Sequence, residues 1–139
     1  MRLTLLLIIC AVPMCRYPFI SSDEMMGAYL ERAVQYWDTP ADIRWIGWGR
    51  VDDCSSEELR ADPHCEVLAQ YSSDRHAIVH NDSHRGRVGE VFLVLSTRHE
   101  YGHAIGLGHS GNPKNIMYHS GPADIYLSLP ESKKPHLIP

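Results

Sequence analysis

Apolar positions early in the chain recur at helical spacing. Met26, Leu30, Ala33, Val34 and Trp37 fall on one stripe, and Ser21 and Glu24 in front of them have capping-box spacing. Pro40 ends the pattern. The spacing predicts a first helix with its stripe turned to a sheet. Ile43-Arg44-Trp45-Ile46-Gly47-Trp48 then alternates as a strand does, with Trp45 and Trp48 as packing residues. Residues 51–66 are polar and predict an irregular loop. Residues 67–71 and 76–80 are two short strand patterns joined by Ser72-Ser73-Asp74-Arg75, and residues 91–98 form an apolar run. Residues 121–129 predict a short closing helix, and Pro130, Pro135 and Pro139 make the last segment irregular.

The two ends add little to a core. Arg2 followed by the apolar residues 3–12 has the charge and length of a secretory signal. A membrane-spanning helix needs about 20 apolar residues, so no transmembrane span is expected. The competing reading of this segment is a buried first strand or helix. Val12-Pro13-Met14-Cys15 lacks a small-x-small cleavage pattern, and Met14 makes a lipid anchor at Cys15 the lesser alternative.

At 139 residues there is room for one domain with a modest core. The formal charge of −4 argues against a nucleic-acid binder, which would present a basic face. With Cys10 and Cys15 set aside, Cys54 and Cys65 are the natural disulfide pair in an exported chain, two unrelated thiols being the alternative.

The chemistry is concentrated in His99-Glu100-Tyr101-Gly102-His103-Ala104-Ile105-Gly106-Leu107-Gly108-His109. His99 and His103 are four apart, so on a helix both project from one face and can reach one Zn²⁺. Glu100 then lies beside the metal as a candidate general base. His109 is too far along to share that face, so the chain must turn at Gly106, a residue that tolerates positive φ. Three protein ligands leave a fourth position for water, the arrangement of a catalytic rather than a structural zinc.

This H-E-x-x-H-x-x-G-x-x-H stretch resembles the zinc signature of metzincin peptidases. Ser110-Gly111-Asn112-Pro113-Lys114-Asn115-Ile116-Met117-Tyr118 resembles the Met-turn of the matrixin type, and residues 91–98 resemble the matrixin approach to the zinc helix. The resemblance implies an α+β metzincin-like catalytic domain. Its parts would be a small twisted, mainly parallel sheet with an antiparallel edge strand, an active-site helix and a Met-turn. With the signal and the irregular tail read from the sequence, the chain divides into residues 1–15 as signal, 16–130 as the catalytic domain and 131–139 as tail. The implied activity is a zinc metalloendopeptidase acting on protein or peptide through Glu-assisted attack of a zinc-bound water; the signal segment makes it secreted or extracytoplasmic, and of the oligomeric states, which the sequence leaves open, a monomer is favoured.

On that resemblance Met117 forms the floor beneath the zinc, and the strand at Ala77, Ile78 and Val79 is the edge that pairs with substrate. Pro122, within residues 119–123, would contribute to the specificity-pocket wall. No cysteine-switch motif precedes the domain, so latency by a thiolate is not expected. His76, His80, Asp82 and His84 do not reproduce the family's structural-metal spacing and read as surface histidines near a turn. Neither a structural zinc nor calcium is expected beyond the one catalytic ion. The rival from another class is a secreted zinc-holding peptide-binding module derived from such a peptidase.

Overall fold

The stripe on the first helical segment decides where the core lies. In the computed structural model, which describes residues 20–21 and 24–119, helix α1 runs Glu24–Trp37. Met26, Tyr29, Leu30 and Ala33 are buried on one face, and Val34 and Trp37 are partly buried beside them. That face packs on Ile43, Ile46, Ile78 and Tyr101. Each fully buried aliphatic side chain contributes about 1.5–3 kcal/mol relative to exposure. The Ser21–Glu24 capping box spans residues 22–23 and lies outside the described residues.

The remaining elements are β1 (Ile20–Ser21), β2 (Trp45–Gly49), α2 (Ser56–Ala61), β3 (Ala69–Ser72), β4 (Ala77–Asn81), a 3-10 turn (Asp82–His84) and α3 (Glu90–Ala104). The sheet order is β1-β2-β4-β3, with β1, β2 and β4 parallel and β3 antiparallel to β4. This is the expected α+β architecture, a mainly parallel sheet with one antiparallel edge.

The identity of that edge differs from expectation. Ala77, Ile78 and Val79 pair with Trp45, Ile46 and Gly47 of β2 on one side and with β3 on the other. All three are buried, so they offer no free edge to a substrate. Among the described residues the antiparallel strand with an open edge is β3. The link between β3 and β4 is too short for a parallel crossover and forces a hairpin. The apolar run of β4 gains most by lying inside the sheet, and β3 is thereby pushed outward.

Residues 51–66 also differ, since they contain α2. Glu58 N–H donates to Ser55 Oγ at 3.2 Å and Ser55 N–H donates to Glu58 Oε2 at 2.7 Å, a complete capping box. No residue of α2 is buried, so it has no apolar stripe to betray it. The Cys54–Cys65 disulfide clasps it, with Cα atoms 6.3 Å apart. Asp52 N–H donates to Gln70 Oε1 at 3.0 Å and Gln70 Nε2 donates to Asp52 Oδ2 at 2.7 Å, fastening this loop to β3.

The run at residues 91–98 belongs to the active-site helix itself. Val91 and Leu95 bury against Ile116 and Met117. Further along α3, Tyr101 faces α1 and donates its hydroxyl to Thr39 O at 2.7 Å, while Trp37 Nε1 donates to Arg98 O at 2.8 Å. These two long-range bonds tie α3 to the end of α1 and the segment just after it, so the histidines on α3 are carried by a fixed element.

The expected surface histidines divide. His76 and His84 are partly exposed, with ring nitrogens 3.3 Å from Asp42 and 3.1 Å from Glu66. His80 is 1% exposed, because β4 is covered on both faces and a side chain at that register position cannot reach water. Its Nε2 lies 3.0 Å from Thr97 Oγ1 of α3.

Candidate metal centre

His99 and His103 stand one turn apart on α3, with ring centroids separated by 4.9 Å. The helix then stops in a defined way. Gly106 takes φ +95°, its N–H donates to His103 O at 3.0 Å, and Leu107 N–H donates to Gly102 O at 3.0 Å. This pair of bonds is the Schellman closure, which requires a residue in the left-handed region and favours glycine there. The chain folds back and brings His109 Nε2 to 3.2 Å from His103 Nε2, which is itself 3.2 Å from His99 Nε2.

The second ring nitrogens decide what this convergence means. His99 Nδ1 lies 2.7 Å from Ile116 O, and His103 Nδ1 lies 2.8 Å from Leu107 O. A carbonyl oxygen can only accept, so both Nδ1 atoms carry the proton and both Nε2 atoms of the neutral rings present lone pairs. Two lone pairs facing each other at 3.2 Å are not a hydrogen bond; a cation between them would make the arrangement favourable. Ligand nitrogens around a tetrahedral ion with Zn–N of 2.0–2.1 Å lie about 3.3 Å apart. The three histidines fit that donor set, and the outer bonds of His99 and His103 to backbone carbonyls are those that commonly orient metal-bound imidazoles. Among the described residues this is the group of His, Cys, Asp and Glu side chains close enough to share an ion.

Burial favours the neutral ligand form. It pushes His99 down to about 4, with the Ile116 bond opposing and the neighbouring rings reinforcing the shift. Burial also lowers His109, together with His103 and His119 nearby. Neutral imidazole is the form that ligates.

Glu100, next to the first histidine, is 8% exposed. Its Oε2 accepts the main-chain N–H of Tyr71 on β3 at 2.7 Å. Burial pushes its carboxyl up to about 8, and the Tyr71 N–H pulls the other way. A divalent cation on the adjacent rings would favour the ionised form.

Met117 lies under the ligand helix, 3% exposed. Ser110 N–H donates to Met117 O at 2.7 Å and Met117 N–H donates to Asn115 Oδ1 at 2.8 Å, so the segment after His109 is clasped to the methionine turn. The approach is close: a Cβ on Gly102 would collide with Met117 Sδ and meet Trp37 Cζ2 at 3.1 Å. Glu58 of α2 is held low chiefly by its bonds to Ser55, with His109 and His119 adding to the effect.

The structure thus gathers His99, Glu100, His103, His109 and Met117, and leaves Ala77, Ile78 and Val79 inside the sheet. Pro122 and residues 1–15 lie outside the described residues. Sequence reasoning missed four participants: the Tyr71 N–H, the Ile116 carbonyl, the Leu107 carbonyl and Gly102. Gly102 had a signal, a glycine inside a helical motif, where only close packing repays its cost. The backbone groups had none. Among the described residues no helix is long and apolar enough to cross a membrane.

Comparison with known families matches residues 35–125 to Matrixin, the peptidase M10 group. No curated protein matches the chain. The matched span takes in the last turn of α1, the whole sheet apart from β1, the zinc helix and the methionine turn, and with them 91 of 139 residues: this chain belongs to the matrixin family of zinc metallopeptidases.

Proposed function

We propose that this chain is a zinc metalloendopeptidase in which His99, His103 and His109 hold the ion and Glu100 is the catalytic base. The observation that carries the reading is the convergence of Nε2 lone pairs at 3.2 Å with a buried carboxylate on the neighbouring residue. When bound, zinc supplies a Lewis acid that polarises the scissile carbonyl and acidifies a water. Glu100 takes a proton from the attacking water and returns it to the leaving amine. Ile116 O and Leu107 O keep the ligand rings in the tautomer that leaves Nε2 bare. Met117 supports the ligand helix from below without touching the reaction.

The substrate is an extended segment of protein or peptide, added to the open edge of β3 by backbone pairing. Residues 1–15 act as the export signal, 16–130 as the catalytic domain and 131–139 as tail. The Cys54–Cys65 bridge fits an oxidising compartment outside the cytosol. Catalytic activity is tested by digesting a diverse peptide library with zinc-loaded protein. Hydrolysis abolished by a chelator, restored by zinc, and reduced about 10²–10⁴-fold in Glu100→Ala with zinc retained is the expected result. Peptide binding without turnover, equal in wild type and Glu100→Ala, would identify a binding module instead.

A further inference from the structure

Alternation along the edge strand fixes which backbone groups of β3 are free. Asn81 N–H donates to Leu68 O at 2.9 Å, which makes Leu68 and Asn81 a hydrogen-bonded pair at the start of the β3–β4 ladder. Inward and outward groups alternate along an antiparallel pair. Gln70 and Ser72 therefore bond inward to β4, while the N–H and C=O of Ala69 and Tyr71 point to the open edge. One of these outward donors is already engaged, since Tyr71 N–H reaches Glu100 Oε2 at 2.7 Å.

We propose that the Tyr71 main-chain N–H is the positioning donor of the catalytic base, so that the strand edge receiving the substrate also sets the carboxylate that acts on it. The proposal rests on the peptidase reading above. A glutamate has three side-chain torsions, and fixing them costs rotamer entropy that a bond to a rigid strand offsets. β3 is rigid here because β4 holds it along one side and the Asp52–Gln70 bonds hold its loop. Among the described residues Glu100 has no other hydrogen-bond donor, so this contact defines where its carboxylate sits. Oε2 is occupied, and the remaining oxygen is the one left to take and return a proton. Substrate pairing at Ala69 and at Tyr71 O can proceed without breaking the contact, because those groups are separate from the Tyr71 N–H.

A side-chain substitution cannot remove a main-chain donor, but proline can. Tyr71→Pro deletes the N–H at an outward-facing edge position, where proline is tolerated, and Gln70 before it is already in a strand. In zinc-loaded full-length protein, kcat for a peptide substrate is expected to fall at least about tenfold while KM stays within about threefold, because misplacing a catalytic group acts on the chemical step. An unchanged kcat with a raised KM would mean that this N–H serves substrate pairing only, and would overturn the proposal.

The second measurement does not depend on that variant folding. In ¹⁵N-labelled zinc-loaded protein, the Tyr71 amide proton is expected downfield and protected from exchange, and it should move upfield and lose protection in Glu100→Ala. A Tyr71 amide indifferent to Glu100→Ala sinks the proposal even if the enzyme is active. Absence of hydrolysis in wild type, with the amide effect intact, would instead remove the peptidase reading and leave only the contact, so the two failures are distinguishable.

Discussion

His80 and His99 are both buried and both pushed down to about 4 by burial, yet they do different things. His99 bonds outward through Nδ1 to Ile116 O and aims Nε2 at two other rings. His80 bonds through Nε2 to Thr97 Oγ1, and its Nδ1 is buried with no partner. Thr97 Oγ1 lies 2.7 Å from Leu93 O, which can only accept, so the hydroxyl proton goes there. His80 Nε2 must then be the donor to Thr97, and its Nδ1 is a bare lone pair. Both histidines are thus neutral with one lone pair free. What makes the first a candidate metal ligand is that the Nε2 atoms of two further rings converge with it. Burial and a depressed pKa are common to both and do not discriminate.

The largest effect should come from breaking this comparison at its ligand end. His99→Ala removes one of three ligands and is expected to abolish stoichiometric zinc binding, as measured by metal analysis after dialysis. His80→Phe should keep one zinc per chain. Loss of zinc in His80→Phe comparable to that in His99→Ala would mean that the two histidines form one metal system.

A smaller effect concerns acid. The folded pKa of His80 is about 4, below its ordinary value of 6.5, so the unfolded chain binds more protons between those limits. Stability contributed by neutral His80 is therefore full above about pH 6.5 and is lost as pH falls toward 4. A shift of this size corresponds to about 3 kcal/mol. Denaturant titrations of zinc-free wild type and His80→Phe across this window should show the shallower pH slope in the variant. His99 adds a slope of the same sign to both proteins, so the difference between them reports His80. Parallel slopes would place the acid sensitivity elsewhere.

The contrast also explains which parts of the molecule were legible in the sequence. His99, His103, Gly106 and His109 were legible because helix periodicity and the reach of a turn translate spacing directly into geometry. The Cys54–Cys65 bridge was legible because a short polar loop keeps its ends close. His80 was misjudged because its polarity suggested water, while its burial is set by what covers β4 on both faces. The edge strand was misassigned for a related reason. Order in a sheet is not order along the chain, and β4 inserts between β2 and β3. In α2 the signal was present but unread: Ser55 and Glu58 have capping-box spacing, without an apolar stripe to draw attention to them.

The smallest effect tests the tautomer on which the comparison depends. Thr97→Val keeps the shape of the side chain and removes the oxygen that accepts from His80 Nε2. If Nε2 carries the proton, the variant leaves a buried N–H unpaired and should lose about 1–3 kcal/mol in chemical denaturation. His80→Phe removes the donor as well, so adding Thr97→Val to that background should cost markedly less. The difference between the two costs is the coupling between the side chains, expected at about 1 kcal/mol. Equal costs in both backgrounds would mean that Thr97 and His80 do not share a proton. The bare lone pair would then lie on Nε2, and His80 would have no fixed tautomer to set against that of His99.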